Sequence, residues 1–253
     1  MARAGLGLTL AVLLALAAAL ASDLHKPARA DPLAQPCGEA GCESAASPIA
    51  PLKSQAPGRA GGTPGNFDFY VLALSWSPSF CEAADPERAG AQCEPGAGLG
   101  FVVHGLWPQD EYGFPTNCRP AARFPSRMAL ETAKRVYPSE RLARHEWQRH
   151  GTCSGKSPTD YFADVRRARD AIAVPPQFAA ANEKQTWAPI DILRAFIASN
   201  PRLRPGMLGV VCNGSELREV RICFTKDLRE FCACPEIARG ACRTREVSVP
   251  PAL

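Results

Sequence analysis

The chain has 253 residues, of which 46% are hydrophobic and 21% charged, and a formal net charge of +4. This balance excludes a chain disordered throughout and leaves room for one or two domains. The mild basic excess favours a polyanionic partner without requiring one.

Residues 1–21, MARAGLGLTLAVLLALAAALA, join a basic start to an apolar run that ends in small residues, the pattern of a secretory signal. Ala19-Leu20-Ala21 fits the cleavage preference, and Ala28-Arg29-Ala30 is a second candidate. A membrane anchor is the competing reading. The stretch is rich in Ala and marginal against the roughly 20 apolar residues that a spanning helix needs. No later segment is apolar for long enough to span, so the expected product is periplasmic or secreted, with no stable membrane association. Residues 22–65 are rich in Ala, Pro, Gly and Ser and lack apolar periodicity, which reads as a mobile leader.

Structure is expected from Asn66 onward. FDFYVLALSW (67–76) is nearly continuous in apolar and aromatic residues, as suits a buried central strand. An irregular loop carrying Cys81 and Cys93 follows. LGFVVHGLWP (99–108) begins as a short strand and passes into a turn ending at Pro108, and a second loop runs to Pro120. RMALETAKRVY (127–137) and ERLARHEWQRH (140–150) read as helices, the second ended by Gly151. Ser157-Pro158-Thr159-Asp160 supplies an N-cap, a first-turn proline and an acid for a helix to about Ile172. PIDILRAFIASN (189–200) is a further amphipathic helix. MLGVVC (207–212) and EVRICFT (219–225) read as strands joined by a turn at Asn213-Gly214-Ser215. Strands at both ends and helices between them predict a single α+β domain over residues 66–253.

Eleven cysteines in an exported chain point to disulfides. The odd count leaves at least one unpaired in a monomer. Cys232 and Cys234 stand too close to bridge each other comfortably and compete for one partner, whereas Cys37 and Cys42 could close a small loop in the leader. Zinc knuckles fit poorly, because there is no CxxC and the histidines do not alternate with the cysteines.

RHEWQRHGTC (144–153) holds two of the four histidines. A zinc-protease helix needs histidines at i and i+4. His145 and His150 are five apart, so helical rotation leaves their side chains about 140° apart. Glu146 and His150 do share a face at i,i+4, Glu146 and Arg149 pair at i,i+3, and Trp147 points towards the core. A solvated Glu–Arg pair is the plain alternative. His104, beside Trp107, is placed for a cleft, against the alternative of a structural histidine.

Two imidazoles from distant segments, with a carboxylate and a cation, suit RNA transesterification. One takes the proton of the 2′-OH, the other protonates the departing 5′-oxygen, and a cation stabilises the charge gained at phosphorus. No metal or cofactor is needed, and DNA lacks the 2′-OH, so the expected substrate is RNA. A catalytically dead RNA-binding relative and a zinc hydrolase are the competing functions.

His104-Gly105-Leu106-Trp107-Pro108 and His145-Glu146-Trp147-Gln148-Arg149-His150-Gly151-Thr152-Cys153 resemble the two catalytic motifs of the T2 family of ribonucleases. FYVLALSWSPSFC (69–81) and the C-terminal cysteine pattern are similar to that family as well, and the whole looks like a bacterial member. The resemblance implies an α+β domain with a central antiparallel sheet flanked by helices. It also implies a metal-independent endoribonuclease that cleaves single-stranded RNA, forms 2′,3′-cyclic phosphates, hydrolyses them to 3′-phosphates and shows little base preference; a monomer is expected. By motif, His150 is the general base, His104 the general acid and His145 a phosphate ligand, with Glu146 and Arg149 stabilising the transition state. Arg149 replaces the family's usual Lys, keeping the charge in a planar fork. Gln109 stands where several members have Asp, at a position tied to base binding. Trp107 is a candidate stacking platform, or else core. The resemblance also suggests four disulfides: Cys81–Cys93, Cys118–Cys153, Cys212–Cys242 and Cys223–Cys234.

Overall fold

The computed structural model describes residues 58–85, 90–120, 122–179, 181–234, 237 and 240–252. The expected signal segment, almost all of the expected leader, Cys37 and Cys42 lie outside them. In chain order the strands are β1 (Arg59–Ala60), β2 (Phe69–Trp76), β3 (Phe101–Gln109), β4 (Pro115–Thr116), β5 (Gln185–Trp187), β6 (Leu208–Asn213), β7 (Glu216–Thr225) and β8 (Val247–Val249). The α-helices are α1 (Ser77–Ala83), α2 (Arg127–Ala133), α3 (Glu140–Arg149), α4 (Pro158–Asp170), α5 (Pro176–Ala179) and α6 (Pro189–Ser199).

The main sheet runs β3-β2-β7-β8-β5, with β6 paired to β7. Its long pairings are antiparallel, and β8 meets β7 in parallel at a single residue pair. With helices around it and four disulfides within it, the domain is disulfide-bonded α+β. The apolar run of β2 places it between β3 and β7, and its side chains alternate between two faces. Tyr70, Leu72, Leu74 and Trp76 enter the main core, with Trp147 of α3, Tyr161 and Phe162 of α4, and Phe196 of α6. Phe69 and Val71 face the other way, onto Cys223, Cys232, Cys234 and Ile237. Further along that second face β2 carries only Ala73 and Ser75, and there the site is built.

Several expected boundaries shift. β3 continues as a strand through Gly105-Leu106-Trp107-Pro108 to Gln109, where a turn is expected from the sequence. Pro108 is tolerated because β3 is the sheet's edge. α2 stops at Ala133 rather than Tyr137, since residues before Pro138 are driven out of helical geometry and Val136 and Tyr137 turn back onto the Ala133 carbonyl. The stretch after β2 is helical as α1, opened by Pro78, where an irregular loop is expected. β5 and β8, each of three residues, carry too little pattern to be read in advance.

Cysteine pairing joins Cys81 to Cys93, Cys118 to Cys153, Cys212 to Cys242 and Cys223 to Cys234. Cys232 is buried and unpaired, and burial pushes its thiol up to about 12, so it is inert at neutral pH.

Candidate active site

Pairing between β2 and β3 slips by one residue. Ala73 faces Gly105 while Leu74 faces Val103, so His104 is the extra residue of a β-bulge. A bulge re-aims a side chain without leaving the sheet. His104 is thereby turned to the second face, with its side chain 30% exposed, while Val103 and Leu106 stay in the core. The sequence alone reads His104 as the end of a strand; the structure places it inside one.

Gly105 follows on the same face. A Cβ there would collide with the Glu146 carboxylate and the Trp107 indole nitrogen, so the missing side chain is the space those two groups occupy. Trp107 Nε1 donates to Glu146 Oε2 at 2.8 Å. Glu146 Oε1 lies 3.6 Å from His104 Nε2. The helix therefore delivers its carboxylate through a gap in the strand.

α3 is opened by Ser139, whose hydroxyl accepts from the Leu142 N–H at 3.2 Å, and Ala143 and Trp147 anchor it in the core. Glu146 is 1% exposed and His150 6% exposed, whereas His145 and Arg149 are exposed. No ion pair to Arg149 forms among the described residues. The end of α3 is held by two anchors from one loop. The Asn117 N–H donates to the Arg149 carbonyl at 2.9 Å, and the neighbouring Cys118 is bonded to Cys153. Asn117 adopts φ 49°, a left-handed conformation that Asn tolerates better than most residues. Gly151 begins a 3₁₀ turn. It is required by close packing, since a Cβ would meet Trp147 and Tyr161.

His104 and His150 differ sharply. His150 lies between Trp107 and Phe114, with ring centroids 5.3 and 6.4 Å away. Its Nδ1 is buried without a hydrogen-bond partner. Burial, then Arg149 and the two other imidazoles, hold its pKa well below the usual histidine value. Burial also acts to lower His104, but the Glu219 hydrogen bond and the Glu146 and Glu219 charges outweigh it, and its pKa is raised. Burial pushes Glu146 up to about 7, despite His104 and the Trp107 N–H. Burial and Arg149 lower His145.

Sequence reasoning does not find Glu219 and Arg221. In EVRICFT they alternate with Val220, Ile222 and Phe224 and read as a solvent face. Glu219 is instead 1% exposed, with Oε1 2.7 Å from His104 Nδ1. His104 and Glu219 flank β2, and they meet because Ala73 and Ser75, the residues between them, are small. The small pair within an otherwise bulky strand is the one signal in the sequence.

Trp107 is already engaged by His104, His150 and Arg221, at 5.2, 5.3 and 5.0 Å. Gln109 is buried at 3% exposure with its amide on the Pro108 carbonyl. Neither lines the cleft of about 610 Å³ that opens beside His104 and His145. That cleft carries Phe80, Ser139, Leu142, Asn213 and the unburied Arg141 and Arg218. Among the described residues no group of three or more His, Cys, Asp or Glu side chains is gathered as a metal-ligand set.

This arrangement agrees with relationships to known proteins. Residues 67–234 match the pattern of the Ribonuclease T2 family. A ribonuclease of Aeromonas hydrophila is 37% identical over 194 residues, covering 74% of this chain and 85% of its own. Ribonuclease I of Escherichia coli strain K12 is 30% identical over 206 residues, covering 64% and 77%. Among solved structures, an RNase-related protein from Calystegia sepium aligns with a TM-score of 0.59 at 22% identity, over 74% of this chain and 98% of that one. Ribonuclease MC1 from bitter gourd seeds aligns with a TM-score of 0.53 at 25% identity, over 66% and 94%.

Proposed function

This chain belongs to the ribonuclease T2 family and is an RNA-cleaving endoribonuclease, and from that premise we propose that it cuts single-stranded RNA by metal-independent transesterification, with His150 as base and His104 as acid. The observation that carries the assignment is the opposite setting of two imidazoles around one indole. A base must be neutral to accept a proton, and the apolar box of His150 keeps it neutral. An acid must hold its proton, and the carboxylates around His104 keep it charged. Environments that push two titratable groups apart assign their roles.

In the first step the 2′-OH gives its proton to His150, with Nε2 as the accepting nitrogen since Nδ1 is buried. The 2′-oxygen bonds to phosphorus. The P–O5′ bond breaks, and the leaving oxygen takes the proton of His104. The products are a 2′,3′-cyclic phosphate and a 5′-OH. In the second step water replaces the leaving alcohol, the two histidines exchange roles, and a 3′-phosphate results. Arg149, exposed beside the buried groups, supplies positive charge to the phosphorane, and His145 contacts the phosphate. Glu146, protonated in part near neutrality, can donate to a phosphoryl oxygen or stabilise the His104 imidazolium.

Phe80 offers a base an exposed ring in the cleft, and stacking is tolerant of sequence, which supports low base specificity. Trp107 is assigned to holding Glu146, and Gln109 to the strand end. We read residues 1–21 as a signal peptide, 22–65 as a leader and 66–253 as the ribonuclease domain of a periplasmic or secreted monomer. The disulfides support an oxidising compartment.

The test is digestion of polyadenylate, polyuridylate and polycytidylate in EDTA with end-group analysis. All three should yield cyclic phosphates and then 3′-phosphates, and the same deoxy-polymers should survive. Loss of activity in EDTA that zinc restores would overturn the mechanism. N-terminal sequencing of the exported protein tests the processing.

A further inference from the structure

Glu219 spends a buried carboxylate on the sheet's second face, and both its oxygens are committed. Oε1 meets His104 Nδ1 at 2.7 Å. Oε2 accepts from Arg221 Nε at 2.9 Å and lies 2.8 Å from a second guanidinium nitrogen. The guanidinium covers Trp107, Trp107 donates to Glu146, and Glu146 returns to His104 Nε2. The contacts form a closed ring around the imidazole, contributed by β3, β7 and α3.

Burying a carboxylate is costly unless it is paired, and Arg221 alone would neutralise this one. The oxygen left over is the one on His104. A carboxylate on Nδ1 fixes three properties of an imidazole: the tautomer, the plane of the ring and the stability of its charged form. Nδ1–H stays on Glu219, so Nε2 is the nitrogen that gives up and regains a proton.

The geometry points to Glu219 as a positioning residue that holds His104 with Nε2 presented to the leaving oxygen, and to Arg221 as the clamp that holds Glu219. This rests on the assignment of His104 as the general acid. The charged and titratable groups around His104 are Glu219 and Arg218 of β7, Glu146 of α3, and the imidazoles of His145 and His150. Glu219 is the one in direct hydrogen-bond contact.

The test uses two substrates in the full-length protein. Polyuridylate has a ribose 5′-oxygen as leaving group and needs an acid. Uridine 3′-(4-nitrophenyl phosphate) releases a phenolate that leaves without one. Glu219→Gln keeps the shape and the acceptor oxygen and removes the charge. We expect kcat/KM on polyuridylate to fall about 10–100-fold, a part of the roughly 100–10,000-fold that a general acid contributes, while the aryl ester changes less than about threefold. The alkaline limb of the polyuridylate profile should move to lower pH. Equal losses on both substrates with an unmoved limb overturn the proposal, because a merely structural role would produce that result. His104→Ala, run in parallel, should show the same leaving-group selectivity. Equal loss there strikes the role of His104 itself, whereas selectivity in His104→Ala without it in Glu219→Gln removes Glu219 alone. Should Glu219→Gln not fold, Arg221→Lys, which leaves Glu219 in place without its fork, carries the same comparison.

Discussion

His104 and His150 flank one tryptophan, yet the fold gives them opposite surroundings. On the strand side a bulge turns His104 out towards solvent and a carboxylate from β7 receives its Nδ1. On the helix side His150 ends α3 between two aromatic rings, with Nδ1 buried and unpartnered. The lesson is that one residue type is given opposite protonation preferences by what lies within a few ångströms of it. Trp107 belongs to both halves, since it packs on each imidazole and donates to the carboxylate near one of them.

The largest effect should come from removing either side. His150→Ala should lower kcat/KM on RNA by about a thousandfold, within the span of general acid–base contributions, and remove the acid limb of the pH profile. The intact enzyme should show a bell whose acid limb lies below the ordinary histidine value and whose alkaline limb lies above it. A profile rising steadily into the alkaline range would contradict both settings.

Separating the halves comes next. Replacing Cys118 and Cys153 by Ser unfastens the end of α3 from the loop after β4. The loss should be about 2–4 kcal/mol of stability, read by denaturant unfolding, with a fall in kcat as the spacing of acid and base loosens. An unchanged kcat would show that the Asn117 anchor suffices.

Trp107→Phe keeps the ring between the histidines and removes its N–H. Loss of a hydrogen bond to a buried charged group corresponds to about 10-fold or more in rate. The burial-raised pKa of Glu146 should rise further, visible in the pH profile.

A further effect is on stability and has a definite sign. Glu146 has a folded pKa of about 7 against an ordinary 4.5. Below 4.5 it is protonated in both states. Between these values only the folded state holds the proton, so stability falls as pH rises through this window, and above it the burial of charge is fully felt. Glu146→Gln should therefore melt higher than the parent at pH 8 by an amount equivalent to about 3 kcal/mol, show little difference near pH 4, and lose activity. A lower melting temperature at pH 8 would mean that the carboxylate is stabilising as built.

Much of this was legible in the chain. Helix periodicity put Glu146 and His150 on one face and sent Trp147 to the core, and the cap residue Ser157 marked the true start of α4. The aromatic run of β2 marked the sheet's centre. What stayed hidden depends on register between segments far apart in sequence. Nothing local in FVVHGLWPQ announces a bulge at His104, because a bulge exists only relative to a partner strand. Glu219 and Arg221 alternate as surface residues do, and only their position across Ser75 and Ala73 from β3 makes them part of the site. Gly105 looked like a turn residue and is instead a gap for a carboxylate.

The most direct test of the central claim is an NMR titration of the imidazoles in the intact protein. His104 should titrate above the ordinary histidine value of 6.5 and His150 well below it. Titration of both near 6.5, or in the reverse order, would contradict the account.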